Sequence, residues 1–205
     1  SPYQCFSAFA GNFYLISPEA LLADNLLKPD DLGDLPEFPQ DKVDYGWVIN
    51  WKISLLDQSF KRFQQARSTR LKTELQAFIE QQANWLPDFA LFMALKEAHG
   101  GAPWTTWETP LRDREPAALS EARQQYDLAI QAQVYRQFIF FRQWESLHQH
   151  TRRLGIQIVG DIPIFVAHDS ADVWSHPELF YLDQTGRPKV VAGVPPDYFS
   201  PTGQL

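Results

Sequence analysis

Asp161 is the residue whose setting most invites chemistry. It sits inside IQIVGDIPIFV (156–166), an apolar, β-branched run interrupted by Gly160 and Pro163. A carboxylate there is costly unless it is hydrogen-bonded or paired. Two readings stand: a capping or supporting carboxylate that fixes the next loop, or a ligand-facing Asp that binds sugar hydroxyls or orients a catalytic acid. Directly downstream, HDSADVWSH carries His168, Asp169, Asp172 and His176. These are ordinary metal-ligand types, but their spacing matches no metal motif, and Asp169-Ser170 followed by Asp172 suits the cap of a short helix. Ser170 has no glycine elbow around it, so a nucleophilic triad has no support. Cys5 has no nearby positive charge to lower its pKa and reads as an inert core cysteine. No glycine-rich phosphate loop follows a strand. Pro195-Pro196-Asp197-Tyr198-Phe199 stiffens the backbone and presents two adjacent aromatics. That loop either folds onto the core or forms a lid that stacks on a sugar ring and excludes water. Tyr3 poses the same choice between core residue and ring platform.

The elements that must position these residues follow from periodicity and punctuation. Residues 5–16 read as a short strand or buried turn. Ser17-Pro18-Glu19 starts a short helix, with Ser as N-cap and Pro at the first turn. Residues 28–41 read as an acidic, Pro-rich loop. From Asp44 to about residue 83 apolar positions recur at helical spacing (Trp47, Val48, Trp51, Ile53, Leu55, Leu56, Phe60, Phe63, then Leu71, Leu75, Phe78, Ile79), broken near Ser68-Thr69. PDFALFMALKEAHGG is a further helix stopped by Gly100-Gly101. Residues 102–118 form a Pro- and Trp-rich loop. One long helix is expected from about Glu115 to Arg153, with Tyr126, Ile130, Val134, Phe138, Phe141, Trp144 and Leu147 inward and Gly155 as its stop. The period then changes, and 156–166 reads as one buried strand of a parallel sheet. Residues 180–193 suggest a small hairpin around Gln184-Thr185-Gly186. The step from helix to buried strand makes this an α/β fold, whose chemistry gathers past the carboxyl ends of strands.

Charge and composition limit the function classes. The chain has 205 residues, 25 acidic and 18 basic, for a net charge of −7, which disfavours a nucleic-acid partner. It is 44% hydrophobic with no run long enough to span a membrane. A single cysteine allows no internal disulfide and fits a reducing compartment such as a bacterial cytoplasm.

Three strings in order, SPYQCFSAFAGN (1–12), GDIPIFVAHDSADVW (160–174) and VVAGVPPDYFSPTGQ (190–204), resemble the amylomaltase family, the 4-α-glucanotransferases related to α-amylases (glycoside hydrolase family 77). The resemblance implies an α/β fold: the first part of a (β/α)8 TIM barrel with an inserted α-helical subdomain. Residues 1–43 would start the barrel, 44–153 would form the helical subdomain plus barrel helices, and 154–205 would hold the third barrel strand, the hairpin and the lid. Asp161 matches the aspartate of the first amylase-type region; Phe165-Val166 stand where many amylases carry Asn-His. Ser1 and Tyr3 match a segment near the subsite before the cleaved bond. Asp197, Tyr198 and Phe199 match a loop covering the acceptor side, and Gln204 a nearby polar contact. Substrate-binding residues are thus expected at Ser1, Tyr3, Asp161, Asp197, Tyr198, Phe199 and Gln204, for a maltodextrin substrate, with no cofactor and no metal. The nucleophilic Asp, the acid/base Glu and a stabilising Asp are expected downstream of Leu205. The chain then resembles an N-terminal-side fragment, inactive alone, that self-associates if ordered. The alternative is a non-catalytic maltodextrin-binding or interaction module.

Overall fold

The computed structural model describes residues 5–33, 37–67, 69–160, 166–190, 193, 195–198 and 200–203. Helices dominate: α1 (Pro18–Ala23), α2 (Tyr45–Gln65), α3 (Thr69–Gln81), α4 (Leu86–Ala98), α5 (Thr109–Arg112), α6 (Pro116–Gln125), α7 (Asp127–Arg153) and α8 (Ala171–Ser175). Short 3-10 turns occur at Phe13–Leu15, Pro29–Leu32, Trp104–Thr106 and Pro177–Leu179. Helix starts follow local chemistry. Ser17 caps α1 through Ala20 N (3.1 Å), Asp44 caps α2 through Trp47 N (3.2 Å), and Ser170 caps α8 through Val173 N (3.3 Å).

Helix α7 is the spine. Helices α2, α3, α4 and α6 all pack on it, and α8 packs on α4. The core between them is aromatic: Phe92 lies 5.4 Å from Trp107 and 5.8 Å from Trp174, and Phe78 lies 5.9 Å from Phe138. Indole N–H groups buried this way need acceptors. Trp104, Trp107 and Trp174 donate to the carbonyls of His168, Ala102 and Leu111, so each indole pins a loop to the core.

The expected helix over 115–153 is divided at Tyr126, whose φ/ψ of −105°/20° is not helical. Backbone hydrogen bonds continue on both sides (Tyr126 N to Ala122 O, Ile130 N to Tyr126 O), so the apolar period runs through unbroken and conceals the bend. Its far end also differs from expectation: Trp144 and Leu147 are 38% and 45% exposed rather than inward.

No β-strand occurs among the described residues; the one bridge there joins Leu182 and Pro188 around the expected hairpin turn. Residues 5–16 are a turn rather than a strand. Residues 156–160 have no ladder, and Val159 is 92% exposed. A buried strand needs neighbours to bond and cover it, and no described segment offers one. Residues 161–165 of that expected strand lie outside the described residues.

In place of a ladder, the segment 6–17 hangs on side-chain amides of α7. Gln137, fully buried, accepts from Gly11 N (2.8 Å) and donates to Gly11 O (3.0 Å). Gln143 treats Ser17 the same way, at 2.7 and 3.2 Å. Each amide satisfies both backbone groups of one residue, as an adjacent strand would. Gly11 is required there because a Cβ would sit 1.9 Å from the Phe140 ring.

Candidate functional site

Asp197 and Tyr198 are the two candidate residues that fall within the described structure; Ser1, Tyr3, Asp161, Phe199 and Gln204 lie outside it. The turn around Asp197 closes on itself. Asp197 N donates to Ser200 O (3.0 Å), Ser200 N donates to the Asp197 carboxylate (2.8 Å), and Ser200 Oγ donates to Gly203 O (2.6 Å). Tyr198 is 94% exposed, so its ring is presented outward and not folded into the core.

The HDSADVWSH segment proves to be a junction. Ser170 alone caps α8. Asp169 instead accepts from buried Lys96 Nζ (2.6 Å) and from Trp104 N (3.3 Å). Asp172 accepts from Ser7 Oγ (2.9 Å) and Ala8 N (2.7 Å), while Ala171 N donates to Phe6 O (2.8 Å). His168 Nε2 bonds the carbonyl of Gly186 at 2.7 Å, tying the hairpin to the same junction. His176 turns away to Glu178 (3.1 Å). No group of three His, Cys, Asp or Glu side chains able to hold a metal occurs among the described residues.

Lys96 explains how the junction tolerates a buried cation. Helix α4 ends where Gly100 and Gly101 take φ of 62° and 81°. The carbonyls of Gly101 and Ala102 then face Lys96 Nζ at 3.0 and 3.3 Å, and the Phe6 ring lies 5.3 Å away. Cys5, expected in the core, is only half-buried.

Sequence reasoning missed the long-range roles of Lys96, Asp169, Asp172 and Gln137. One signal was available: a five-residue helix needs one cap, and the segment carries two carboxylates besides Ser170. A cleft of about 510 Å³ runs along α7 between Leu15, Ser17, Phe140, Trp144, Leu147 and Arg153; neither Asp197 nor Tyr198 lines it.

Charge elsewhere serves the scaffold. The Arg62 guanidinium and the Lys28 N–H hold the Asp31 carboxyl well below its usual range, at about 2. Burial pushes the Tyr135 phenol, bonded to Ser59, above its ordinary value. His99, beside Glu108 at 2.8 Å, lowers that carboxyl.

The amylomaltase from Streptococcus agalactiae in complex with acarbose superposes with a TM-score of 0.92 at 39% identity, over 100% of this chain and 41% of that one. The family model for 4-alpha-glucanotransferase matches residues 1–205, and the chain belongs to that family. It is 52% identical over 204 residues to the 4-alpha-glucanotransferase of Thermus thermophilus and 44% identical over 206 residues to that of Synechocystis sp.. A chloroplastic/amyloplastic relative from Solanum tuberosum is 40% identical over 208 residues. All of this chain is covered in each case, but it spans only 40%, 41% and 35% of those proteins. No helix among the described residues is long and apolar enough to cross a membrane.

Proposed function

We propose that this chain is the N-terminal-side portion of a 4-α-glucanotransferase that moves α-1,4-glucan segments between maltodextrins by retaining double displacement. The observation that carries the reading is the family match from residue 1 to residue 205. An aspartate supplied downstream of Leu205 attacks the anomeric carbon, and a glutamate protonates the departing oxygen. The resulting glycosyl ester is opened by a sugar 4-hydroxyl, whose proton the glutamate takes; such acid and nucleophile carboxyls stand about 5–5.5 Å apart.

This chain's contribution is binding. Asp161 contacts sugar hydroxyls, Ser1, Tyr3 and Gln204 line the groove, and Asp197, Tyr198 and Phe199 form the lid. Stacking by the lid favours a sugar acceptor over water. In this reading residues 1–43 and 154–205 belong to a (β/α)8 barrel and 44–153 to the helical subdomain. Further barrel elements cover Trp144, Leu147, Leu154 and Ile156, all now exposed; without them the chain self-associates through that apolar surface. The single Cys5 suits a reducing compartment such as the cytoplasm.

Maltotriose incubated with the protein expressed from its complete reading frame should yield glucose and longer maltodextrins. Residues 1–205 alone should convert none. Binding of maltodextrin by 1–205, with no acidic pair encoded downstream, would instead favour a non-catalytic binding module.

A further inference from the structure

We propose that the hollow between the 104–114 loop and the 177–186 turn is a binding site for a neutral sugar ring. That the ring is a glucose unit of an α-1,4-glucan rests on the glucanotransferase reading above. The hollow encloses about 320 Å³, at the small end of the range of about 300–1,000 Å³ for ligand pockets. Trp104, Pro177 and Leu182 give it apolar walls, and Arg112, Asp183 and Gln184 give it polar ones. Apolar surface for C–H groups beside donors and acceptors for hydroxyls suits a sugar ring.

The polar groups keep unused capacity. Arg112 spends Nε and Nη2 on the Asp113 carboxylate (2.7 and 3.0 Å), which leaves Nη1 as a donor in a fixed plane. Asp183 takes Thr185 N, Thr185 Oγ1 and Arg187 N all on Oδ1 (2.8, 2.8 and 3.0 Å), which leaves Oδ2 as an acceptor. The exposed Gln184 amide offers both.

Arg114, also on the wall, carries two irregularities. Its φ of 57° is left-handed, a rare conformation for a residue other than glycine. Its Nη2 donates to Asp88 (2.9 Å) and its guanidinium lies 4.3 Å from the Trp174 ring centre, yet Nη1 is buried with no acceptor among the described residues. Buried donors are seldom left unmet, and backbone strain gathers at ligand sites. A hydroxyl oxygen brought into the hollow gives that nitrogen an acceptor.

Charge argues against an anion: on the walls Arg112 and Arg114 are matched by Asp113 and Asp183. The walls are also pre-set. His168 Nε2 donates to the Gly186 carbonyl (2.7 Å), and a Cβ at Gly186 would sit 2.4 Å from the Trp104 ring, so hairpin turn and indole meet without a gap. A ligand has little left to order.

The test uses protein from the complete reading frame with 5-fluorotryptophan in place of Trp, the Trp104 fluorine resonance being the one absent from Trp104→Phe. Maltotriose, read before turnover, should shift that resonance along a saturating curve. Arg112→Ala combined with Gln184→Ala should raise the half-saturation about tenfold, the loss expected of two hydrogen bonds. Inorganic phosphate, the anion probe, should leave the resonance in place. A resonance unmoved by about 20 mM maltotriose, an affinity too weak for a formed site, overturns the proposal. So does the parent's curve in the folded double variant, or a response to phosphate instead of sugar. If the pair does not fold, Gln184→Ala alone carries the readout with about a threefold effect. A saturating shift without conversion of maltotriose sinks the glucanotransferase reading and keeps the hollow; conversion without the shift does the reverse.

Discussion

Replacing Lys96 with Met removes the cation at the centre of the loop junction while keeping an unbranched apolar stem. Lys96 is 6% exposed and its ammonium serves Asp169, Gly101 O and Ala102 O at 2.6, 3.0 and 3.3 Å. Deleting one partner of a fully buried pair costs about 3–5 kcal/mol. The Asp169 side chain is 33% exposed, so water can take over part of its solvation and the cost falls toward the lower end. The two carbonyls lose a charged donor, but they too lie at a helix end that water can reach. The sum is about 3 kcal/mol, which in a chain of this size lowers Tm by about 6–12 °C. A double-mutant cycle with Asp169→Ala should isolate a coupling of about 1–2 kcal/mol from chemical denaturation at neutral pH. A coupling below about 0.5 kcal/mol, with Lys96→Met melting within 2 °C of the parent (less than about 1 kcal/mol), would refute this. The junction would then be held by backbone and indole contacts alone.

Gly11→Ala places a methyl 1.9 Å from the Phe140 ring and should destabilise by about 1–3 kcal/mol in thermal unfolding, as overpacking does. Asp31→Asn removes the ion pair with Arg62; because the native carboxyl titrates at about 2 and an unfolded one near 3.8, the stability it contributes is complete above that unfolded value and fades as pH falls toward 2. Parent and variant should therefore differ in Tm at pH 7 and converge near pH 2. In the protein from the complete reading frame, Tyr198→Ala with Phe199→Ala should raise the ratio of hydrolysis to transfer on maltotriose; an unchanged ratio, read from reducing ends against product lengths, removes the lid argument.

Much of the helical scaffold was legible because its signals are local. Ser17, Asp44, Ser170, Gly100-Gly101 and Gly155 act within one turn of themselves, and the break near Ser68-Thr69 and the turn at Gln184-Thr185-Gly186 are local too. What escaped was long-range. The bend at Tyr126 leaves the apolar period intact. Gln137 and Gln143 grip backbone 126 positions away, and nothing in their neighbourhood marks an amide that imitates a strand. Asp169 and Asp172 passed as caps because caps and tertiary ties draw on the same side chains. Trp144 and Leu147 read as core because periodicity records which face is apolar and not what covers it. At the candidate site, the two prolines marked a stiff turn but left open whether its aromatics fold inward or face outward, and the structure exposes Tyr198. The strand expected over 156–166 was not found over 156–160, because a ladder depends on partners that no local pattern specifies.

The most direct test is a crystal structure of the protein from its complete reading frame with acarbose, the ligand of the Streptococcus agalactiae neighbour. Asp161 should stand on one wall of the sugar-filled groove and Tyr198 and Phe199 on the other, with the reactive acids contributed from beyond Leu205. Asp161 and the aromatic pair on opposite sides of the molecule, or acarbose bound without touching either, would contradict it.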